Sequence, residues 1–144
     1  MEQQDTGQDD VEETTARAEL KRAYMLAHFG RFDEAIACCQ KAAEIAPDHV
    51  LPPTMEGAFL TAAGRNRKAL GHLRKVVKRF SDEPLPRLHF AEACLLAGRV
   101  KKGFGELDAA VELDEEGEHA ELAQLLRETF DGLDKNDIPD PLEV

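Results

Sequence analysis

The side chains best suited to chemistry in this 144-residue chain are five histidines and three cysteines, and their placement assembles no reactive site. His28, His49, His72, His89 and His119 are far apart along the chain, whereas helical metal ligands recur three or four residues apart. Cys38 and Cys39 are adjacent and cannot bridge each other within a regular helix, and Cys94 has no obvious mate. They read as packing residues in a reducing compartment. The sequence contains no HExxH, CxxC, GxSxG or phosphate-cradling glycine loop, and Gly103-Phe104-Gly105 lacks the third glycine of a dinucleotide turn. The expectation is a protein without catalysis, metal or cofactor.

Charge is the second signal. The net charge of −11 disfavours nucleic acid and anionic membranes as partners. It is distributed unevenly: residues 61–102 hold 11 basic and 3 acidic side chains, while 103–144 hold 2 and 14. Arg67, Lys68, Arg74, Lys75 and Lys78 concentrate the positive charge on one predicted helix. This row reads either as a solvated convex face or as a docking site for acid, on a partner or on the chain's own ends. Residues 1–10 show neither the basic start nor the apolar core of a secretory leader, and no apolar run is long enough to span a bilayer. A cytoplasmic protein, monomeric or weakly dimeric, is expected.

The elements that position these residues repeat. Gly-Arg occurs at Gly30-Arg31, Gly64-Arg65 and Gly98-Arg99, a constant offset of 34 residues. The same offset relates Ala23, Gly57 and Ala91; Leu26, Leu60 and Cys94; Ala35, Ala69 and Gly103; and Ala42, Val76 and Ala110. Small residues at fixed places let paired helices approach, and larger ones fill the seam beside them. Each glycine accepts the left-handed turn that ends a helix. Pro47, Pro52, Pro53, Pro84 and Pro86 cluster between units, where a fixed φ suits helix starts. Helices are predicted near 11–29, 32–46, 52–63, 66–80, 86–97 and 100–114. A seventh, with Ala123, Leu126, Phe130 and Leu133 at helical spacing, is expected within 118–133 as a cap on the last apolar face.

A 34-residue helix-turn-helix period, and the stretch GRFDEAIACCQKAAEIAPDH above all, resembles the tetratricopeptide repeat (TPR) family over roughly residues 16–117. The resemblance implies an all-α, right-handed α-solenoid of three hairpins, at about 16–49, 50–83 and 84–117, followed by the capping helix. An acidic flexible segment, 1–10, would precede it and a disordered acidic tail, 134–144, would follow. Some positions depart from the family pattern: Glu19 and Arg22 replace apolar residues, Ser81 and Glu115 replace the closing proline, and Gly103 replaces an alanine. The changes at Ser81, Glu115 and Gly103 predict a looser third hairpin.

In this family the first helix of each unit lines a concave surface that binds another protein. The resemblance therefore implies a peptide-binding stripe of Leu20, Tyr24, Ala27 and His28 in the first unit, Thr54, Ala58 and Thr61 in the second, and Leu88, Glu92 and Leu95 in the third. Arg17, Leu51, Leu85 and Leu96 extend it. Tyr24 and Leu88 are the expected anchors, with a groove filled by the capping helix as the alternative for the third unit. Relatives that hold a terminal carboxylate use Lys, Asn and Arg in this stripe; here Leu20, Tyr24, Met55, Leu85 and His89 stand there, which disfavours that ligand.

Two functions are compatible with these residues. One is a scaffold or adaptor that holds an extended or helical segment of a partner protein. The other is a cytosolic chaperone similar to those of bacterial type III secretion, which hold hydrophobic translocators. EPLPRLHFAEACLLAGR resembles their third repeat through Pro86, His89, Ala91, Glu92 and Gly98, although Cys94 is displaced by one residue.

Overall fold

The structure, a computed structural model, describes residues 2–132, with side chains described at 11 and from 14 onward. The tail at 134–144 lies outside the described residues. Seven helices follow in order: α1 Glu2–His28, α2 Phe32–Ile45, α3 Leu51–Ala62, α4 Asn66–Arg79, α5 Pro84–Leu96, α6 Val100–Leu113 and α7 Ala120–Phe130. There is no strand among the described residues. The bounds of α2 to α6 fall within two residues of the sequence-based ones. Helix α1 instead begins at Glu2, inside the segment expected to be flexible. No proline interrupts residues 2–28.

The three Gly-Arg corners share one geometry. Gly30, Gly64 and Gly98 have φ of 76°, 79° and 79°. At the first, the Gly30 amide donates to the Ala27 carbonyl at 2.9 Å and the Arg31 amide to Leu26 at 2.9 Å. Gly64 and Arg65 donate likewise to Thr61 and Leu60, and Gly98 and Arg99 to Leu95 and Cys94. These paired bonds satisfy the last carbonyls of each helix and require a left-handed residue at the glycine.

The chain divides into two compact units, Met1–Arg65 and Asn66–Val144. The boundary falls inside the expected second repeat, 50–83, after its first helix.

In the first unit α1 packs on α2 and α2 on α3. Ala23, Ala35, Cys39 and Ala42 are fully buried, so the helices meet through their smallest side chains, with Leu20, Phe59 and Leu60 filling the seam. Pro52 and Pro53 occupy the first turn of α3, where a missing amide costs nothing. Asp33 of α2 pairs with Arg65 at the end of the unit.

In the second unit α5 is the central helix, in contact with α4, α6 and α7. Leu73, Leu88, Leu95 and Leu107 are its largest fully buried side chains, and truncating any of them to alanine costs about 2–5 kcal/mol by the usual cavity arithmetic. Leu88, Ala91, Leu107 and Ala110 form one cluster with Ala123 and Leu126 of α7. The Asp114 carboxylate accepts from the Glu118 and His119 amides at 3.0 and 2.9 Å, fixing the turn that leads into α7. Arg127 of α7 pairs with Asp108 of α6.

The expected looseness of the third hairpin does not occur. A Cβ at Gly103 would lie 2.6 Å from Leu95 Cγ and 3.2 Å from the Ala91 carbonyl oxygen. Glycine there brings α5 and α6 closer than alanine permits.

Candidate functional site

Helix α1 presents residues spaced by about one turn toward the start of α3. Ala16, Arg17, Leu20, Lys21 and Tyr24 form one wall of a hollow whose other wall is His49, Leu51 and Pro52. Its volume is about 170 Å³. An apolar cavity of ~150 Å³ accommodates benzene, so this one has room for one ring or branched aliphatic side chain. Leu20 and Pro52 are buried beneath it, while Arg17, Lys21 and His49 are exposed. Arg17 and Lys21 beside an apolar floor suit a partner segment that inserts one apolar side chain and carries acid beside it.

Tyr24 is held by an edge-to-face contact with Phe59 of α3, with ring centroids 5.7 Å apart and planes at 89°. It remains 45 % exposed. Such a pair contributes about 0.5–1.5 kcal/mol beyond area burial and orients the ring before any ligand arrives. Partial burial pushes the Tyr24 phenol above its ordinary range, with Cys39 a second cause, so the hydroxyl is a neutral donor at physiological pH.

The stripe expected from the sequence is only partly available. Tyr24 and His28 are exposed, and Ala27, Ala58 and Glu92 are partly so. Burial of Glu92 raises its carboxyl above the usual range. Leu20 is buried and offers only an edge to the hollow. Thr54 and Thr61 are buried in α3, with their hydroxyls bonded to the Val50 and Gly57 carbonyls at 2.7 and 3.0 Å. Leu88, 1 % exposed, closes against Ala123 and Leu126 of α7, and Leu95, 0 % exposed, faces Gly103. Leu88 is therefore a core residue and not the surface anchor that periodicity suggested. A first helix in such a stack has two apolar faces, and spacing alone does not tell which one a neighbour covers.

Ala16, Lys21, His49 and Pro52 were not expected at a site. His49 lies between helices and Pro52 at a helix start, so helical periodicity carries no signal for them. Met25 of α1 and Phe29, in the turn just after it, are exposed and were also missed.

At the positions where a carboxylate clamp would lie, Met55 is buried and Leu85 partly so. Burial pushes His89 down to about 4, with His119 a second cause, so its imidazole is neutral near pH 7. In the basic row, Arg67, Lys68, Arg74, Lys75 and Lys78 are all exposed along α4.

Residues 16–49 match the family model of the tetratricopeptide repeat. The fold is that of a TPR domain. Solved TPR domains overlay most of the chain: the first TPR of Spaghetti (RPAP3) bound to the HSP90 peptide SRMEEVD has a TM-score of 0.68 at 17 % identity, covering 81 % of this chain and 93 % of that one. The TPR2B domain of yeast Sti1, in complex with pHsp70, has a TM-score of 0.67 at 18 % identity over 81 % and 93 %. MamA from Desulfovibrio magneticus reaches 0.56 at 20 % identity over 80 % and 71 %. No curated protein matches the chain. Among the described residues of this TPR fold, no helix is long and apolar enough to cross a membrane, and no group of three His, Cys, Asp or Glu could hold a metal.

Proposed function

We propose that this TPR domain is a non-catalytic protein-binding adaptor that holds an extended or helical segment of a partner protein, with one apolar side chain of that segment seated beside Tyr24. The observation that carries the reading is the hollow between α1 and the start of α3. It is apolar at its floor, cationic at its rim, and flanked by an aromatic ring already oriented by Phe59. TPR domains of the same fold include one bound to a peptide and one in complex with pHsp70, which supports a peptide segment as the class of ligand.

The test is an array of overlapping peptides probed with the full chain and with its Tyr24→Glu variant, both checked for helicity by circular dichroism. Peptides captured by the parent should share an apolar residue next to acid, and the variant should lose them. Capture that is equal for both proteins rejects the hollow as the binding site.

A further inference from the structure

We propose a second binding site, independent of the hollow beside Tyr24: the cationic face of α4, together with the pocket it forms with α5 and α6, docks a short acidic segment of a partner protein. The inner face of α4 is Ala69, Leu70, Leu73, Val76 and Val77, all buried. Its outer face is a line of cations from Arg67 and Lys68 through Arg74 and Lys75 to Lys78. At 1.5 Å per residue this line runs about 16 Å, the span of roughly five residues of extended peptide.

Among the described residues these cations lack the ion pairs that three arginines elsewhere have. Arg31 pairs with Glu34, Arg65 with Asp33 and Arg127 with Asp108. Among the described residues none of Arg67, Lys68, Arg74, Lys75 and Lys78 has an ion pair. Like charges one turn apart repel, and an anion laid along them relieves that repulsion.

The line ends in a built pocket. Arg74 and Lys78 of α4, Arg87 of α5 and Lys102 of α6 converge on a hollow of about 320 Å³, against the single acidic group Glu106. Glu106 accepts from Arg87 Nη1 at 2.9 Å, which holds the guanidinium across α5 and α6. Among the described residues the buried Arg87 Nε has no hydrogen-bond partner of its own. Lys102 Nζ stands 5.6 Å from the centre of the Phe90 ring, so its position is also set by packing. Four cations against one carboxylate leave an excess of three positive charges, arranged for one or two carboxylates of a peptide whose other acids follow α4.

A peptide suits this surface better than nucleic acid does. A polynucleotide longer than the 16 Å row meets the remaining charge of a chain that is −11 overall, whereas a short acidic segment ends with the cations.

The probe is a fluorescein-labelled hexaglutamate peptide titrated with the full chain and read by anisotropy, with hexalysine as the control. Hexaglutamate should bind at low ionic strength and lose at least about tenfold in affinity when the salt is raised enough to shorten the Debye length to a few ångströms. Arg74→Glu with Lys78→Glu should weaken it by about tenfold or more. Lys102→Glu, on a different helix, should do the same if the α4 variant proves unstable by circular dichroism, and Tyr24→Glu should change nothing. Unchanged binding by the charge-reversed proteins overturns the proposal, as does tighter binding of an oligothymidylate of equal length. Neutralising Asp134, Asp137, Asp140 and Glu143 should leave the peptide affinity as it is. A tenfold gain in that variant would make the chain's own end the occupant and refute an external partner.

Discussion

Gly103 of α6 and Leu95 of α5 are packed so closely that no side chain fits between them: a β-carbon on Gly103 would stand 2.6 Å from Leu95 Cγ. Leu95 is fully buried, so displacing it disturbs the core. Alanine at this position would gain about 1 kcal/mol of helix propensity but force a core displacement costing about 1–3 kcal/mol. Gly103→Ala should therefore lower the thermal midpoint, even though alanine stands at the equivalent Ala35 and Ala69. Gly71→Ala is the control. Nothing lies within 4 Å of its β-carbon in the interior of α4, so it should stabilise by about 0.5–1 kcal/mol. A stabilising Gly103→Ala would show that α5 and α6 are not this close in solution.

Leu88 should behave as a core residue. Its contacts are with Leu107, Ala110, Ala123 and Leu126. Leu88→Ala should cost about 2–5 kcal/mol in urea unfolding, and Leu88→Glu should abolish cooperative unfolding, because a lone carboxylate there has no partner. Full helicity in Leu88→Glu would mean that α7 does not cover it.

Acid should weaken the fold partly through His89. Its folded pKa, about 4, lies below the ordinary histidine value of 6.5, so between these values the unfolded chain binds a proton that the native one does not. Stability is then highest above pH 6.5 and falls toward pH 4, by on the order of 2–3 kcal/mol for this group. Glu92, raised by burial, acts in the opposite sense, since its stabilising protonation is lost as pH rises through its folded pKa. Comparing the parent with His89→Gln isolates the histidine. The variant should show a shallower decline between pH 6.5 and 4, and parallel curves would contradict the burial.

All three thiols should be inert in the native state. Cys38, Cys39 and Cys94 are buried, and burial, then Glu56 and Cys38, raises Cys39 to about 12. With a disulfide reagent at pH 8, native protein should release little chromophore in minutes, and three equivalents only after denaturant is added. A fast equivalent without denaturant would place one thiol at the surface.

The peptide SRMEEVD, held by the first TPR of Spaghetti, should bind this chain no better than a scrambled control. The clamp positions offer Leu20, Tyr24, Met55, Leu85 and a neutral His89 in place of Lys, Asn and Arg. Sequence-dependent binding by calorimetry would show that another cation performs the clamp's role.

What residues 1–144 determined by themselves was everything set by neighbours in the chain. The glycine corners, the proline helix starts, the extents of α2 to α6 and the positive character of α4 follow from backbone freedom and charge within a few positions. The tertiary structure alone decided which apolar side of each helix was covered. Thr54, Thr61, Leu88 and Leu95 looked like groove residues and became core, because α3 folded its hydroxyls back on its own carbonyls and because α7 and Gly103 closed on α5. The hollow of Tyr24 with His49 and Pro52, and the meeting of Arg87 with Glu106, are likewise absent from any local pattern. Periodicity shows that a face is apolar, but only packing reveals what lies against it.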